Sequence, residues 1–257
     1  MPARPESPVE RELDYHEKFY SSSLAREHFS KPAVRAFRKK LVAHILRCTG
    51  AQSTTRVLSL GCGLGDTELL LASRVSFVLG VDGSAAAIHQ AEQDRARLGV
   101  RNATFQQLRL GRDPLPEAEF DLVLAIFLLH HLPLPELNQA IRAAHRALRS
   151  EGTLYTLDPS RYRLTGAIGK LLVPQLMERY RSPEERELDP SWLLGLVREA
   201  GFRARLQFFD FLSTPLAGLM PSQAWLYEAS WWLDRVLIRL PGIRWLGSNF
   251  EIIARKA

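Results

Sequence analysis

His130 and His131 stand side by side just past Asp121–Phe127, the most apolar strand-like run of the chain. A histidine titrates near neutrality and suits proton removal from a phenol or another hydroxyl. The alternative role is to shape a pocket or bond backbone. Asp158 ends a later apolar run and either faces a substrate or starts the Asp158-Pro159 turn. Gly61-Cys62-Gly63-Leu64-Gly65 is a glycine-rich turn, which lets backbone approach a ligand closely. About 20 residues later, Asp82 lies in Val81-Asp82-Gly83, where a carboxylate can accept from two ribose hydroxyls. Its other use is to cap the helix that begins near Ser84. No metal is expected, because adjacent histidines point apart and no paired carboxylates accompany them in the sequence.

These residues need a frame. Arg56–Gly61, Phe77–Val81, Thr104–Gln107, Asp121–Phe127, Gly152–Leu157, Arg203–Phe209 and Phe250–Arg255 read as strands. Thr67–Ala72, Ser84–Leu98, Glu136–Leu148 and Pro190–Ala200 read as helices between them. Ile88, Ala91 and Leu98 mark one apolar side, and Leu137, Ile141, Ala144 and Leu148 another. Short connections between alternating strands and helices predict an α/β fold with a doubly wound, mostly parallel sheet. Such a sheet binds ligands beyond the carboxyl ends of its strands, where all the residues above fall.

The first turn separates two cofactor classes. A dinucleotide fingerprint carries a third glycine where this chain has Asp66. A pyrophosphate is repelled by Asp66 and Glu68 in the first helical turn, whereas a positive sulfonium without phosphate tolerates both. The charges therefore favour S-adenosylmethionine.

Val57-Leu58-Ser59-Leu60-Gly61-Cys62-Gly63-Leu64-Gly65 resembles the first motif of class I S-adenosylmethionine-dependent methyltransferases, and Leu79-Gly80-Val81-Asp82-Gly83-Ser84 their second. Asn102 through Val123 resembles their third- and fourth-strand region, and Glu151-Gly152-Thr153-Leu154 their turn into the fifth strand. Phe127-Leu128-Leu129-His130-His131-Leu132 is similar to the post-strand turn of the small-molecule members. The resemblance runs from about Arg56 to Phe209, with the last strand at Phe250–Arg255. It implies a Rossmann-like, seven-stranded sheet with an antiparallel last strand, and S-adenosyl-L-methionine held by Gly61, Cys62, Gly63, Gly65, Asp82, Gly83, Gln107, Leu108 and Phe127. It also implies that Tyr15, His16 and Tyr20 of an N-terminal helix fold over the cofactor or substrate. The chain departs from the family at Ser59, usually acidic, and at Leu108-Arg109, usually Gly-Asp; an arginine cannot accept the adenine hydrogen bond.

The expected organisation is a helical arm over residues 1–55 and a methyltransferase domain over 56–257, with insertions at about 159–190 and 210–249. In the first insertion Leu164–Tyr180 reads as a helix, apolar through Leu171, Leu172 and Leu176. In the second, Trp225, Ala229, Trp232, Val236 and Leu240 form a helical stripe. That stripe reads as core packing, with a lid, a dimer face or lipid contact as its functional alternatives.

Composition bounds the rest. The 257 residues are 46% hydrophobic and 24% charged, which excludes a disordered chain, a collagen and a coiled coil. Two cysteines, Cys48 and Cys62, leave no disulfide framework and no four-cysteine zinc site. The charged first 20 residues carry no signal-peptide core, and no apolar run spans a bilayer, so a cytoplasmic location is expected. The net charge of +6 equals that of residues 26–47 alone, where seven basic residues face one acid, Glu27. Val34, Phe37, Leu41 and Ile45 lie on one face of the helix read there, outside the expected crevice. The expected function is methyl transfer to a small hydrophobic acceptor, most simply O-methylation of a metabolite or natural product. RNA methylation and a non-catalytic S-adenosylmethionine-binding module are the alternatives. No DNA partner is expected, since the motif after the fourth strand lacks the turn of base-amine enzymes, and a homodimer stays open.

Overall fold

The computed structural model describes residues 7–172, 174, 175 and 181–257. Seven strands form one sheet: β1 (Arg56–Leu60), β2 (Phe77–Asp82), β3 (Ala103–Gln107), β4 (Phe120–Ile126), β5 (Leu148–Pro159), β6 (Phe202–Asp210) and β7 (Asn249–Lys256). Their order is β3-β2-β1-β4-β5-β7-β6, parallel except for β7, which pairs antiparallel with both β5 and β6. The order reverses between β1 and β4, so their carboxyl ends diverge and open a crevice.

The described residues begin with α1 (Pro8–Ser21), α2 (Ser23–Ser30) and α3 (Pro32–Thr49). Ser7 and Glu10 cap α1 reciprocally, each side chain bonding the other's backbone N–H. Pro32 starts a new helix, so residues 26–47 are two helices rather than the single one expected. Helices α4 (Asp66–Ala72), α5 (Ala85–Arg97), α6 (Leu134–Ala147) and α8 (Pro190–Glu199) lie between the strands, with α7 (Leu164–Leu172) between β5 and α8. Phe37, Leu41 and Ile45 of α3, Leu71 of α4 and Ala91 of α5 pack on one sheet face. Leu137 and Ile141 of α6 and Leu193 and Val197 of α8 pack on the other.

Some expectations are corrected. Leu148 opens β5 instead of ending α6, and β5 is twice the length that its apolar core suggested. Leu98 is exposed because it lies just past α5, at the helix's C-cap. Leu171 and Leu172 are exposed as well, while Leu176 lies outside the described residues.

The largest correction concerns the segment between β6 and β7, which forms α9 (Ser213–Leu219), α10 (Ala224–Leu237) and a short turn at Ile243–Leu246. Tyr227, Ser230 and Asp234 are the buried face of α10. The Asp234 carboxylate accepts the N–H groups of Leu212 and Ser213 at 3.0 and 2.9 Å, satisfying free donors at the start of α9. Tyr227 packs against Phe37 and Trp231. These two anchors fix the helix's rotation and leave Trp225, Ala229, Trp232, Val236 and Leu240 pointing outward. The stripe is exposed surface, not core.

Candidate functional site

A cavity of about 420 Å³ lies at the reversal point, between the carboxyl ends of β1, β2 and β4 and the helix α1 above them. Gly61, Cys62 and Gly63 form its floor. Gly63 has φ +53°, and a Cβ there would come 2.8 Å from the Tyr20 hydroxyl, so glycine allows the close approach of α1. Gly65 serves packing instead: it does not line the cavity, and a Cβ would sit 2.7 Å from the Phe105 ring.

Asp82 ends β2 and is gripped by backbone. Its Oδ2 accepts from the Gly63 N–H at 2.9 Å and its Oδ1 from the Ser84 N–H at 2.9 Å. Burial pushes its carboxyl above the usual range, and those two N–H groups oppose the shift. Ser84, not Asp82, gives the side-chain cap of α5, through the Ala87 N–H. Gly83 and Leu108 line the cavity. Gln107 does not; its amide is spent on the Gly83 carbonyl at 3.1 Å. Arg109 lines the rim, its N–H bonded to Asp113.

Helix α1 is tied down at two points. Glu17 accepts from Ser84 Oγ at 2.6 Å and from the Ala86 N–H at 3.1 Å. Glu12 accepts from Ser182 Oγ at 2.5 Å and from the Glu184 N–H at 2.9 Å. Tyr15, His16 and Tyr20 consequently face the cavity.

After β4 the chain turns at Phe127, a non-glycine residue with φ 52°, held there by its N–H bond to the Leu157 carbonyl. The turn delivers Leu129–His131 beside the cavity. His130 Nδ1 lies 2.9 Å from Asp158 Oδ1, which also accepts the His130 N–H at 3.2 Å. Asp158 is fully buried behind the ring and does not line the cavity, so it reaches a ligand only through His130. His131 Nδ1 lies 2.8 Å from Glu12 Oε1, which His16 Nε2 approaches at 3.1 Å. Each histidine thus meets a carboxylate supplied from distant sequence, with Glu12 shared between His131 and His16, and the His130 and His131 rings lie 3.9 Å apart instead of diverging. Burial lowers His130 to about 3 and raises Asp158 to about 8. Exclusion of water is the largest cause of both shifts; the Arg163 charge adds to the first, and the His130 N–H bond opposes the second.

The first departure from the motif pattern has a local answer. Ser59 Oγ donates to Glu68 Oε1 at 2.6 Å, and both residues are buried beside the cavity. The carboxyl absent from the β1 end is supplied by the next helix. Burial raises Glu68 to about 7, opposed by the Ser59 hydrogen bond.

Residues 57–152 match the model of a methyltransferase domain family. This stretch carries a methyltransferase domain. A ubiquinone biosynthesis O-methyltransferase of Pseudomonas aeruginosa is 31% identical over 159 residues, covering 58% of this chain and 65% of that protein. A 23S rRNA (uracil(1939)-C(5))-methyltransferase of Stenotrophomonas maltophilia is 35% identical over 114 residues, or 40% of this chain. The match spans about a quarter (26%) of that relative's length. In fold, the chain is similar to a magnesium protoporphyrin IX methyltransferase from Synechocystis with bound S-adenosylhomocysteine. That likeness has a TM-score of 0.62 at 15% identity, over 95% of this chain and 98% of the other.

Two contributors to the methyltransferase domain's cavity escaped the motif reading. Glu12 was hidden because a lone acid on an amphipathic helix carries no signal until the fold brings it to His131. Arg38 was assigned to a solvated basic helix, yet it lines the cavity and bonds Thr67 Oγ1 at 3.0 Å. Its Nε is buried and has no partner among the described residues.

Proposed function

We propose that this protein transfers a methyl group from S-adenosylmethionine to a hydroxyl of a small, largely hydrophobic metabolite, in the cytoplasm. The His130–Asp158 contact at the cavity wall carries the reading. The residues present fit the cofactor's chemistry. Asp82 offers carboxylate lone pairs to a ribose diol, and the acidic lining of Asp66 and Glu68 suits a cation. The unpartnered Arg38 Nε suits the cofactor's carboxylate. When bound, the cofactor supplies a methyl group activated on a positive sulfonium.

The remaining work belongs to the chain. With Asp158 ionised, its bond to Nδ1–H orients the His130 ring and leaves Nε2 free, for no hydrogen bond holds that atom among the described residues. Nε2 would then hold the acceptor's hydroxyl proton, released as the methyl group's bond passes from sulfur to that oxygen. Phe127, Leu128 and Leu132 give the cavity an apolar wall near the histidines. Helix α1, latched through Glu12 and Glu17, excludes water and aligns the reactants.

Methylation at a pyrimidine carbon is supported less well, despite the ribosomal RNA relative. That chemistry uses a thiolate nucleophile. Burial pushes the Cys62 thiol well above its usual range, and Cys48 is pushed up to about 12 on a helix away from the cavity.

Calorimetric titration with S-adenosylmethionine and S-adenosylhomocysteine tests the reading. Binding of both is expected, with Asp82→Ala weakening it roughly tenfold or more through lost charge-assisted hydrogen bonds. Absence of heat at millimolar cofactor overturns it.

A further inference from the structure

Among the described residues, the outward face of α10 has no partner. Trp225 is 69% and Trp232 73% exposed, and Leu233, Val236 and Leu240 lie exposed with them. Ile243, Trp245 and Leu246 continue the apolar surface across the following turn. Two anchored polar groups, Asp234 and Ser230, occupy the inward face instead. Such an inverted helix exposes far more aromatic surface than a soluble helix leaves in water.

The surface also has a cationic rim. Glu228, Arg235 and Arg239 are spaced for one flank of α10, and Glu228 bonds Lys40 of α3 at 2.8 Å. That flank therefore borders α3. Arg35, Lys39 and Lys40 of α3 line a shallow groove against Glu228. Arg244 adds another exposed charge in the turn beyond α10. Among the described residues, the acid on this rim, Glu228, is paired to Lys40.

We propose that this face docks on an anionic lipid bilayer, with the Trp225–Leu240 stripe in the interface and the α3–α10 rim against lipid phosphates. Tryptophan favours the boundary between headgroups and acyl chains, and arginine keeps its charge in the headgroup layer. An amphipathic helix with an apolar face and a basic flank lies in that plane. A second copy of the chain fits less well. A two-fold contact would repeat the same rim on both sides and set like charges together. The proposal stands on this surface alone and not on the chemistry of the cavity.

Flotation of the full chain with phosphatidylcholine vesicles, with and without phosphatidylglycerol, tests it. Binding is expected only when phosphatidylglycerol is present, with a blue shift of tryptophan emission and loss at high salt. Trp225→Glu with Trp232→Glu should reduce partition roughly tenfold or more, as should Arg235→Glu with Arg239→Glu. All four side chains are exposed, so thermal midpoints and cofactor binding should stay unchanged. Three results overturn the proposal: no binding to anionic vesicles, a concentration-dependent dimer abolished by Trp232→Glu, or RNA binding lost with the same variants while vesicle binding is absent.

Discussion

Glu12 and His131 meet at 2.8 Å, 119 residues apart in sequence, and close the cavity from opposite sides. Burial pushes the Glu12 carboxyl up, but bonds from His131, His16, Ser182 and the Glu184 N–H outweigh it. They hold the group well below the usual carboxylate range. A carboxylate depressed in the fold stabilises it above its unfolded value, and that stability is lost as pH falls through the folded value. Glu12→Gln should therefore lower the thermal midpoint at neutral pH, by roughly 2–3 kcal/mol of stability. The two melting curves should converge as pH falls below about 4. A constant difference across that range would mean that the latch does not depend on the charge.

The neighbouring pair gives the pH dependence of the proposed reaction. Asp158 is raised to about 8. Below that pH its proton sits between Oδ1 and Nδ1, the ring's own proton moves to Nε2, and the ring cannot accept another. Above it, Nδ1 carries the proton and Nε2 is free. The value of kcat/KM should rise with pH through about 8, as a property of the pair. Asp158→Asn should remove this limb and cut kcat by roughly 100-fold or more, with cofactor affinity unchanged. His130→Ala with full activity would exclude a base at this position.

How much of this was legible in the sequence follows from what generates each feature. The strands and the glycine turn are local patterns, and Gly61, Gly63, Asp82 and His130 fell where strand ends predicted. The pairings of His130 with Asp158 and of His131 with Glu12 depend on chain crossings that no local period encodes. The rotation of α10 departs from its apolar pattern for a similar reason. An apolar stripe normally faces the core, but Asp234 caps another helix and Tyr227 fills a site beside Phe37, so two side chains overrode five. Gln107 and Gly65 were assigned by motif position, and the structure spends them on the Gly83 carbonyl and on Phe105 packing.

Glu68 tests whether the carboxyl under β1 is kept for a ligand. Its value of about 7 lies above that of an unfolded glutamate, so ionisation disfavours the fold as pH rises through 7. Glu68→Gln should stabilise the ligand-free protein at pH 8 by about 3 kcal/mol or less, with the gain vanishing below about pH 4. The same variant should weaken cofactor binding. Stabilisation with unchanged affinity would leave Glu68 a structural partner of Ser59 only.

Arg38 makes the sharpest test of the cavity's polarity. Its guanidinium stands among Phe29, Phe37 and Thr67, with the Nε donor buried and unsatisfied. An unmet buried donor costs about 1–3 kcal/mol, a cost that an anionic ligand group would remove. Arg38→Lys keeps the charge but loses the planar fork. It should weaken S-adenosylmethionine binding by about tenfold, while affinity for 5′-methylthioadenosine, which lacks the carboxylate, stays within about twofold. Equal losses for both ligands would assign Arg38 to the packing of α3 on α4 and leave the carboxylate to another group.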